Sequence, residues 1–308
     1  MRNNRPLSFL LHIAARARFE VDRRRPDVPV TRRIHGVDIV MPRHHLLPYL
    51  TSGDSVYNLN LVELARGLYD LESTLTLLDV GGNVGDSALG VLSAVPAYVV
   101  CVEADPAWQK YLDMNVAGRD DVAVEPYALV PPGYRGGFEI NHADVGSSNL
   151  VPAAEGSGPP SISTDELLER NPRLQQVRLI KTDTDGYDVL LVPAMAETFK
   201  ASRPVIFFEF EALATSLATP ELPLVSVWER LLDQGYEDAV LWDNGGRLLG
   251  PDKVANLIAR SGQLSEAMSS AYFWDVAVAH KDDATGLEVL RSVACDPAGH
   301  AEVGYGGA

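Results

Sequence analysis

The chain has 308 residues, 46% of them hydrophobic, two cysteines and a formal net charge of −16. That length can bury a large core without disulfides, and two cysteines give neither a disulfide framework nor a metal-ligand spacing. Charge is uneven: residues 1–35 carry nine arginines against Glu20, Asp22 and Asp27, while the rest of the chain is acidic, which argues against nucleic acid as substrate.

Residues 6–20 read as a short helix with Leu7, Leu10, Leu11 and Ala14 on one side, broken by Arg23–Pro29. Val37–Val40 reads as a short strand. We treat residues 1–50 as a basic N-terminal extension. Its arginines could touch an anionic membrane surface, an acidic partner, or a second subunit of a homo-oligomer. Residues 51–285 read as one α/β domain. A loop and helix cover 51–71, and strands are expected near 75–80, 98–103, 122–128, 177–182, 204–210, 237–242 and 272–279. Helices are expected near 86–94, 106–117, 188–200, 222–234 and 251–260. This alternation predicts a seven-stranded, mostly parallel sheet with helices on both faces and an antiparallel last strand. Pro131–Ile162 is rich in Gly, Pro, Ser and Asn and reads as a lid-like loop (131–162) over the site. Residues 286–308 read as a C-terminal tail. No stretch reads as a secretory signal or a transmembrane segment, so the cytoplasm is the expected compartment.

The most informative stretch is Thr76-Leu-Leu-Asp-Val-Gly-Gly-Asn-Val-Gly-Asp86, followed by Tyr98-Val-Val-Cys-Val-Glu103. An apolar run enters a turn with Gly81, Gly82 and Gly85, and a second apolar run ends in an acid. This is how a β-α-β unit holds an adenine nucleoside. Glu103 follows Gly81 by 22 residues, where a carboxylate can accept hydrogen bonds from ribose hydroxyls. No frame gives the G-x-G-x-x-G of a dinucleotide site. Asp79 and Asp86 flank the turn, and carboxylates repel a pyrophosphate but suit an ammonium or a sulfonium. S-adenosyl-L-methionine carries both cations. The alternatives are another nucleotide-dependent Rossmann enzyme and a non-catalytic S-adenosylmethionine-binding protein.

The blocks Asp79–Asp86 and Val102-Glu-Ala-Asp-Pro106 resemble the first two motifs of FkbM-type S-adenosylmethionine-dependent methyltransferases. Ser163-Thr-Asp-Glu-Leu-Leu168, Leu179–Asp188 and Arg203–Glu209 resemble three further blocks in the same order. The resemblance implies a Rossmann-like class I methyltransferase fold and O-methylation of a small-molecule or glycan acceptor: a sugar, glycolipid or polyketide-type natural product. By motif it assigns Asp79, Gly81, Asn83, Gly85 and Asp86 to the methionine part and Glu103 to the ribose. Ala104, Asp105, Tyr127 and Ala128 would border the adenine, and Tyr57 and Asn58 would close the pocket. Two departures are Gly82, where the family has Ala, and Asp185, where it has Glu.

Methyl transfer to an alcohol needs alignment and removal of a proton. Asp183, Asp185 and Glu209 fall at strand C-terminal ends, where ligands of open α/β sheets bind. They could act as a general base or hold Mg2+ or Mn2+. Alternatively they are structural, with Glu209 pairing Lys181. His142, inside the lid, is a second candidate base. His44-His45 reads as a turn. Trp108, Tyr111 and Met114 read as core packing, and Trp242, near Asn244, could stack on a sugar face.

Overall fold

The computed structural model describes residues 5–53, 55–142, 146–266 and 273–295. Helix α1 (Arg5–Asp22) precedes a hairpin, β1 (Pro29–Ile34) and β2 (Val37–Pro42), and a short α2 (Leu47–Leu50) leads to α3 (Leu59–Glu72). Then follow β3 (Thr76–Val80), α4 (Asp86–Ala94), β4 (Tyr98–Val102), α5 (Pro106–Val116) and β5 (Val122–Glu125). After β6 (Ala128–Val130) comes a second hairpin, β7 (Gly137–His142) and β8 (Ser148–Ala153), and then β9 (Ser161–Ser163) returns alongside β6. The second half runs α6 (Thr164–Arg170), β10 (Leu179–Thr182), α7 (Asp188–Thr198), β11 (Val205–Phe210), α8 (Ala212–Ala218) and α9 (Ser226–Asp233). It closes with β12 (Tyr236–Asp243), β13 (Leu248–Lys253), α10 (Val254–Glu266), β14 (Trp274–His280) and α11 (Ala284–Cys295).

The main sheet has the order β13-β12-β14-β11-β10-β3-β4-β5. β3, β4, β5, β10 and β11 are parallel, and β14 runs antiparallel between β11 and β12. This is the class I Rossmann-like methyltransferase fold, with one correction: the sheet has eight strands, not seven. Leu248–Lys253 adds an antiparallel edge to β12. Its Gly250 and Pro251 hide the strand pattern, because both residues are tolerated chiefly at edges.

Strand alternation sorts the core into two layers. Leu78, Val80, Val100, Ile180 and Phe208 face α7, α9 and α10. Leu77, Val99, Cys101, Leu179 and Phe207 face α3, α4, α5 and α11. Within α5, Trp108 and Tyr111 are buried as expected, but Met114 is exposed.

Both ends of the domain extend further than the sequence suggests. The β1–β2 hairpin packs Ile34, Ile39 and Met41 against Leu89, Trp108 and Tyr111. Asn115 Nδ2 donates to Val40 O and Val84 O, both at 2.8 Å, which stitches that hairpin to the nucleoside-binding half. The tail drawn at 286–308 begins inside α11, whose Val289 and Leu290 are buried against α3. Among the described residues no helix is long and apolar enough to cross a membrane.

Candidate active site

The sheet order reverses between β3 and β10, and a cavity of about 620 Å³ opens there at the strand C-termini. The glycine turn forms its floor. The N–H groups of Gly81 and Gly82 both donate to Val102 O, at 2.9 and 3.1 Å. Gly81 has φ +77°, and a Cβ there would stand 2.1 Å from Asp183 O. Only glycine allows β3 and β10 to approach so closely. Asn83 is left-handed at φ 47°, which aims its N–H at Glu103 Oε2, 2.7 Å away. Asp105 N donates to Glu103 Oε1 at 2.8 Å. Burial pushes the Glu103 carboxyl up to about 7, against the pull of these two N–H groups.

Of the residues expected to hold a cofactor, Tyr57, Asn58, Gly81, Asn83 and Asp86 line the cavity. So do Glu103, Ala104, Asp105, Tyr127 and Ala128. Asp79, Gly82 and Gly85 do not line it. Asp79 alternates onto the α3/α4 face and is fully buried. Gly82 faces Cys101 and Leu112, and Gly85 caps α4 beneath Leu112. The two carboxylates expected beside the ligand therefore reduce to Asp86 from this turn. Its Oδ2 accepts from Asn58 Nδ2 at 3.0 Å.

Lys181 pairs with Asp79 at 3.2 Å and not with Glu209 as the sequence suggested. Lys181 and Asp79 are register partners on β10 and β3, so their side chains leave the same face of adjacent strands. Lys181 Nζ also donates to Gly81 O at 2.9 Å, and Asp183 Oδ2 is 3.8 Å away. Burial pulls the ammonium down, yet Asp79 and Asp183 more than offset this and raise it above its usual range. Lys181 thus ties the glycine turn to the loop that begins at Asp183.

That loop, Asp183–Tyr187, is strained. Asp185 has φ 50°, and Gly186 has φ +106°, where a Cβ would meet Ala214 C at 2.4 Å. Asp188 fastens it, accepting from Thr182 Oγ1 at 2.7 Å and Thr184 N at 3.2 Å. The β10–β11 register pairs Thr182 with Phe208, so one step further Asp183 stands beside Glu209. Asp183, Asp185 and Glu209 each present a carboxylate oxygen, all within 4.8 Å of one another. Burial raises Asp185 to about 8, with Asp183, Asp188 and Glu211 adding to it. Burial also lifts Glu209 well above the carboxylate range, with Asp183 the next cause.

A stability consequence follows from this crowding. For an acid whose folded pKa is raised, the unfolded chain ionises first as pH rises. Asp185 should therefore remove stability progressively between about pH 4 and about pH 8, the interval from its ordinary value to its shifted one. Urea unfolding at pH 5.5 and pH 8 should show Asp185→Asn flattening this decline. An unchanged pH slope would contradict the assignment.

The segment expected to be a lid is a β-hairpin, β7–β8, over the cavity. Residues 143–145 lie outside the described residues. Trp108 Nε1 donates to Ser148 Oγ at 3.0 Å, and Asn83 Nδ2 donates to Gly146 O at 2.9 Å. His45 supports Asn83 from behind. Leu47 N donates to His45 Nδ1 at 3.1 Å, which assigns the ring proton to Nε2, 3.2 Å from Asn83 Oδ1. Burial pushes the His45 ring below the usual histidine range. His45 and Trp108 both line the cavity. Reading His44-His45 as a mere turn, and Trp108 as core alone, missed this, because no sequence spacing reports it.

Two further residues singled out from the sequence stand off the cavity wall. The His142 side chain is 60% exposed, sits 3.2 Å from Asp105 Oδ2, and does not line the cavity. Trp242 is 1% exposed and packs edge-on against Phe207, so it offers no face to a sugar. Its neighbour Asn244 does line the cavity. Tyr187 was not singled out from the sequence. Its hydroxyl is buried without a hydrogen-bond partner, on the cavity wall.

A β-α-β glycine turn, an acid directly after β4 and an antiparallel β14 between β11 and β12 are features of the class I Rossmann-like methyltransferase fold. The family described as Methyltransferase FkbM domain matches residues 79–237, just over half of the chain. The chain belongs to this family. No curated protein matches it. Among solved structures, the METTL16 MTase domain is similar with TM-score 0.46 and 12% identity, over 80% of this chain and 75% of that one. The O-methyltransferase from Bacillus cereus in complex with SAH gives TM-score 0.38 and 14% identity, over 71% of this chain and 80% of that one. Precorrin-6y C5,15-methyltransferase from Geobacter metallireducens GS-15 gives TM-score 0.38 and 13% identity, over 71% and 86%. These likenesses are of fold alone.

Proposed function

We propose that this chain uses S-adenosylmethionine to methylate a hydroxyl oxygen of a saccharide, glycolipid or polyketide-type acceptor. The observation that carries the reading is one cavity with two chemically distinct ends. At one end Glu103, fixed by Asn83 N and Asp105 N, offers its remaining lone pairs to a diol. At the other, Asp183, Asp185 and Glu209 converge. The donor, when bound, supplies an activated methyl group, so the residues need only align the acceptor and take its proton.

Asp183 is the candidate general base. Its side chain is 44% exposed, so an acceptor hydroxyl can reach it. Glu209 and Asp185, whose carboxyls are pushed upward by burial, can retain protons and donate to the acceptor or to Asp183. The same three oxygens also suit Mg2+ or Mn2+, either of which would make the acceptor more acidic. The unpartnered Tyr187 hydroxyl provides a further contact for a polar acceptor.

Glu103 gives the test of the cofactor end. Removing a charged acceptor of hydrogen bonds should weaken S-adenosylhomocysteine binding in Glu103→Ala by about 1.5–3 kcal/mol. Ribose hydroxyls donate to the ionised carboxylate, and in the free protein that carboxyl titrates at about 7. Affinity should therefore rise from pH 6 to pH 8, with a proton released on binding, and the variant should lose this slope. Calorimetric titration in buffers of different ionisation enthalpy reads both effects. Equal affinity in variant and parent would place the ribose elsewhere.

A further inference from the structure

Outside the active site, α1 and the β1–β2 hairpin enclose an open cleft of about 420 Å³, lined by Arg18, Arg25, Arg32 and Arg43. Only one acid, Asp22, lines it with them. Asp22 is 7% exposed and sits at the centre of the group. Arg32 Nη2 donates to its Oδ2 at 2.8 Å, while Arg18 and Arg25 stand 4.0 and 3.9 Å away. Arg43 makes no pair with it. Its Nη1 donates instead to Pro26 O at 2.9 Å. Three guanidinium groups thus lie within 4.0 Å of a single carboxylate, and a fourth, on Arg43, lines the same cleft, on a protein whose net charge is −16.

Gathering like charges around one acid is unfavourable unless an anion completes the set. Arg32 satisfies the buried Asp22 carboxylate, whereas Arg18 and Arg25, 67% and 60% exposed and 4.0 and 3.9 Å away, gain little from it, so pairing with Asp22 does not account for their presence. Arg32 is 18% exposed, and Arg43 is tethered through Pro26, so two of the forks are held before any ligand arrives. The loop carrying Arg25 is fixed as well: His44 Nε2 bonds Arg25 O at 2.8 Å. Planar guanidinium forks match phosphate oxygens two at a time.

We infer that this cleft binds a phosphate group, as a phosphate ester in solution or as a phospholipid headgroup. Apolar surface borders it: Val21, which lines the cleft, is 48% exposed, and Val28 is 39% exposed. The cleft also neighbours the active-site cavity. Phe19 of α1 stacks on Tyr49 of α2, and Leu47 and Leu50 of the same α2 line the cavity. The inference does not depend on methyl transfer.

The full chain is titrated with inorganic pyrophosphate, and separately sedimented with phosphatidylcholine vesicles with and without phosphatidylglycerol. Arg18→Gln/Arg25→Gln is compared with Arg119→Gln/Arg291→Gln, which removes the same charge from exposed sites elsewhere. The first pair should weaken binding about tenfold or more, and the second by no more than about twofold. Pyrophosphate binding that the first pair abolishes identifies a soluble phosphate ester as the ligand class. Vesicle binding that needs phosphatidylglycerol and the first pair, without pyrophosphate binding, identifies a headgroup. No binding of either probe, or equal losses in the two variants, overturns the inference. S-adenosylhomocysteine affinity, unchanged in the first pair, reports that the fold is intact.

Discussion

Asp183→Asn should reduce methyl transfer by about 10²–10⁴-fold, the range for loss of a positioned general base, and leave S-adenosylhomocysteine affinity nearly unchanged. The substitution keeps the side chain's shape. The backbone carbonyl of Asp183 still meets Gly81, and its N–H still donates to Val80 O at 3.1 Å. What disappears is the capacity to accept the acceptor's proton, or one oxygen ligand of a bound cation. These two roles separate on chelation. If Asp183 acts through Mg2+ or Mn2+, the parent enzyme should lose activity with EDTA and recover it on adding either metal. If it acts as a base alone, EDTA should change nothing. Transfer of labelled methyl from S-adenosylmethionine to hydroxyl-bearing acceptors measures both. Undiminished transfer by Asp183→Asn would remove this residue from the chemistry.

Lys181→Met should destabilise the fold by about 3–5 kcal/mol at pH 8, because it leaves a buried carboxylate without its cation. Asp79 is fully buried and Lys181 is 6% exposed, so solvent screening offers little relief. Asp79 can escape by taking up a proton. Burial already raises its carboxyl above the usual range despite Lys181. In the variant the folded carboxyl titrates higher still, so the penalty grows as pH rises through the interval above the unfolded value. The loss at pH 5 should be smaller than at pH 8. Replacing both partners, as in Asp79→Leu/Lys181→Met, should recover much of the stability, since an apolar pair leaves no orphaned charge. Cofactor binding would stay impaired in that double variant, because Lys181 Nζ no longer holds Gly81 O. Urea unfolding at the two pH values reads the effect. A loss under about 1 kcal/mol, the scale of an exposed pair, would contradict a buried, structural role.

Much of the fold was legible because its signals are local. The apolar runs 76–80, 98–102 and 205–210 are strands, and Asp105-Pro106 starts α5, with Asp105 Oδ1 accepting from Ala107 N at 2.8 Å. Glu103 and the glycine turn meet because the β-α-β unit forces them together. The acids Asp183, Asp185 and Glu209 converge because β10 and β11 are parallel neighbours. The misreadings share a different cause. Asp79 is next to the turn in sequence, but strand alternation turns its side chain away from the cavity and toward Lys181. His142 lies in the right segment, yet its side chain is largely exposed beside Asp105 and does not itself line the cavity. His45 reaches Asn83 across 38 residues, a contact that no periodicity records. β13 was hidden by a glycine and a proline that an edge strand tolerates.

The central claim is that one cavity takes an adenosine-bearing sulfonium donor at Glu103 and an acceptor at Asp183. Calorimetric titration with S-adenosylhomocysteine, with NAD in parallel, tests it most directly. The account predicts micromolar binding of S-adenosylhomocysteine, about −8 kcal/mol, weakened by about 1.5–3 kcal/mol in Glu103→Ala, and no binding of NAD. Binding of NAD alone, or of neither, would contradict it.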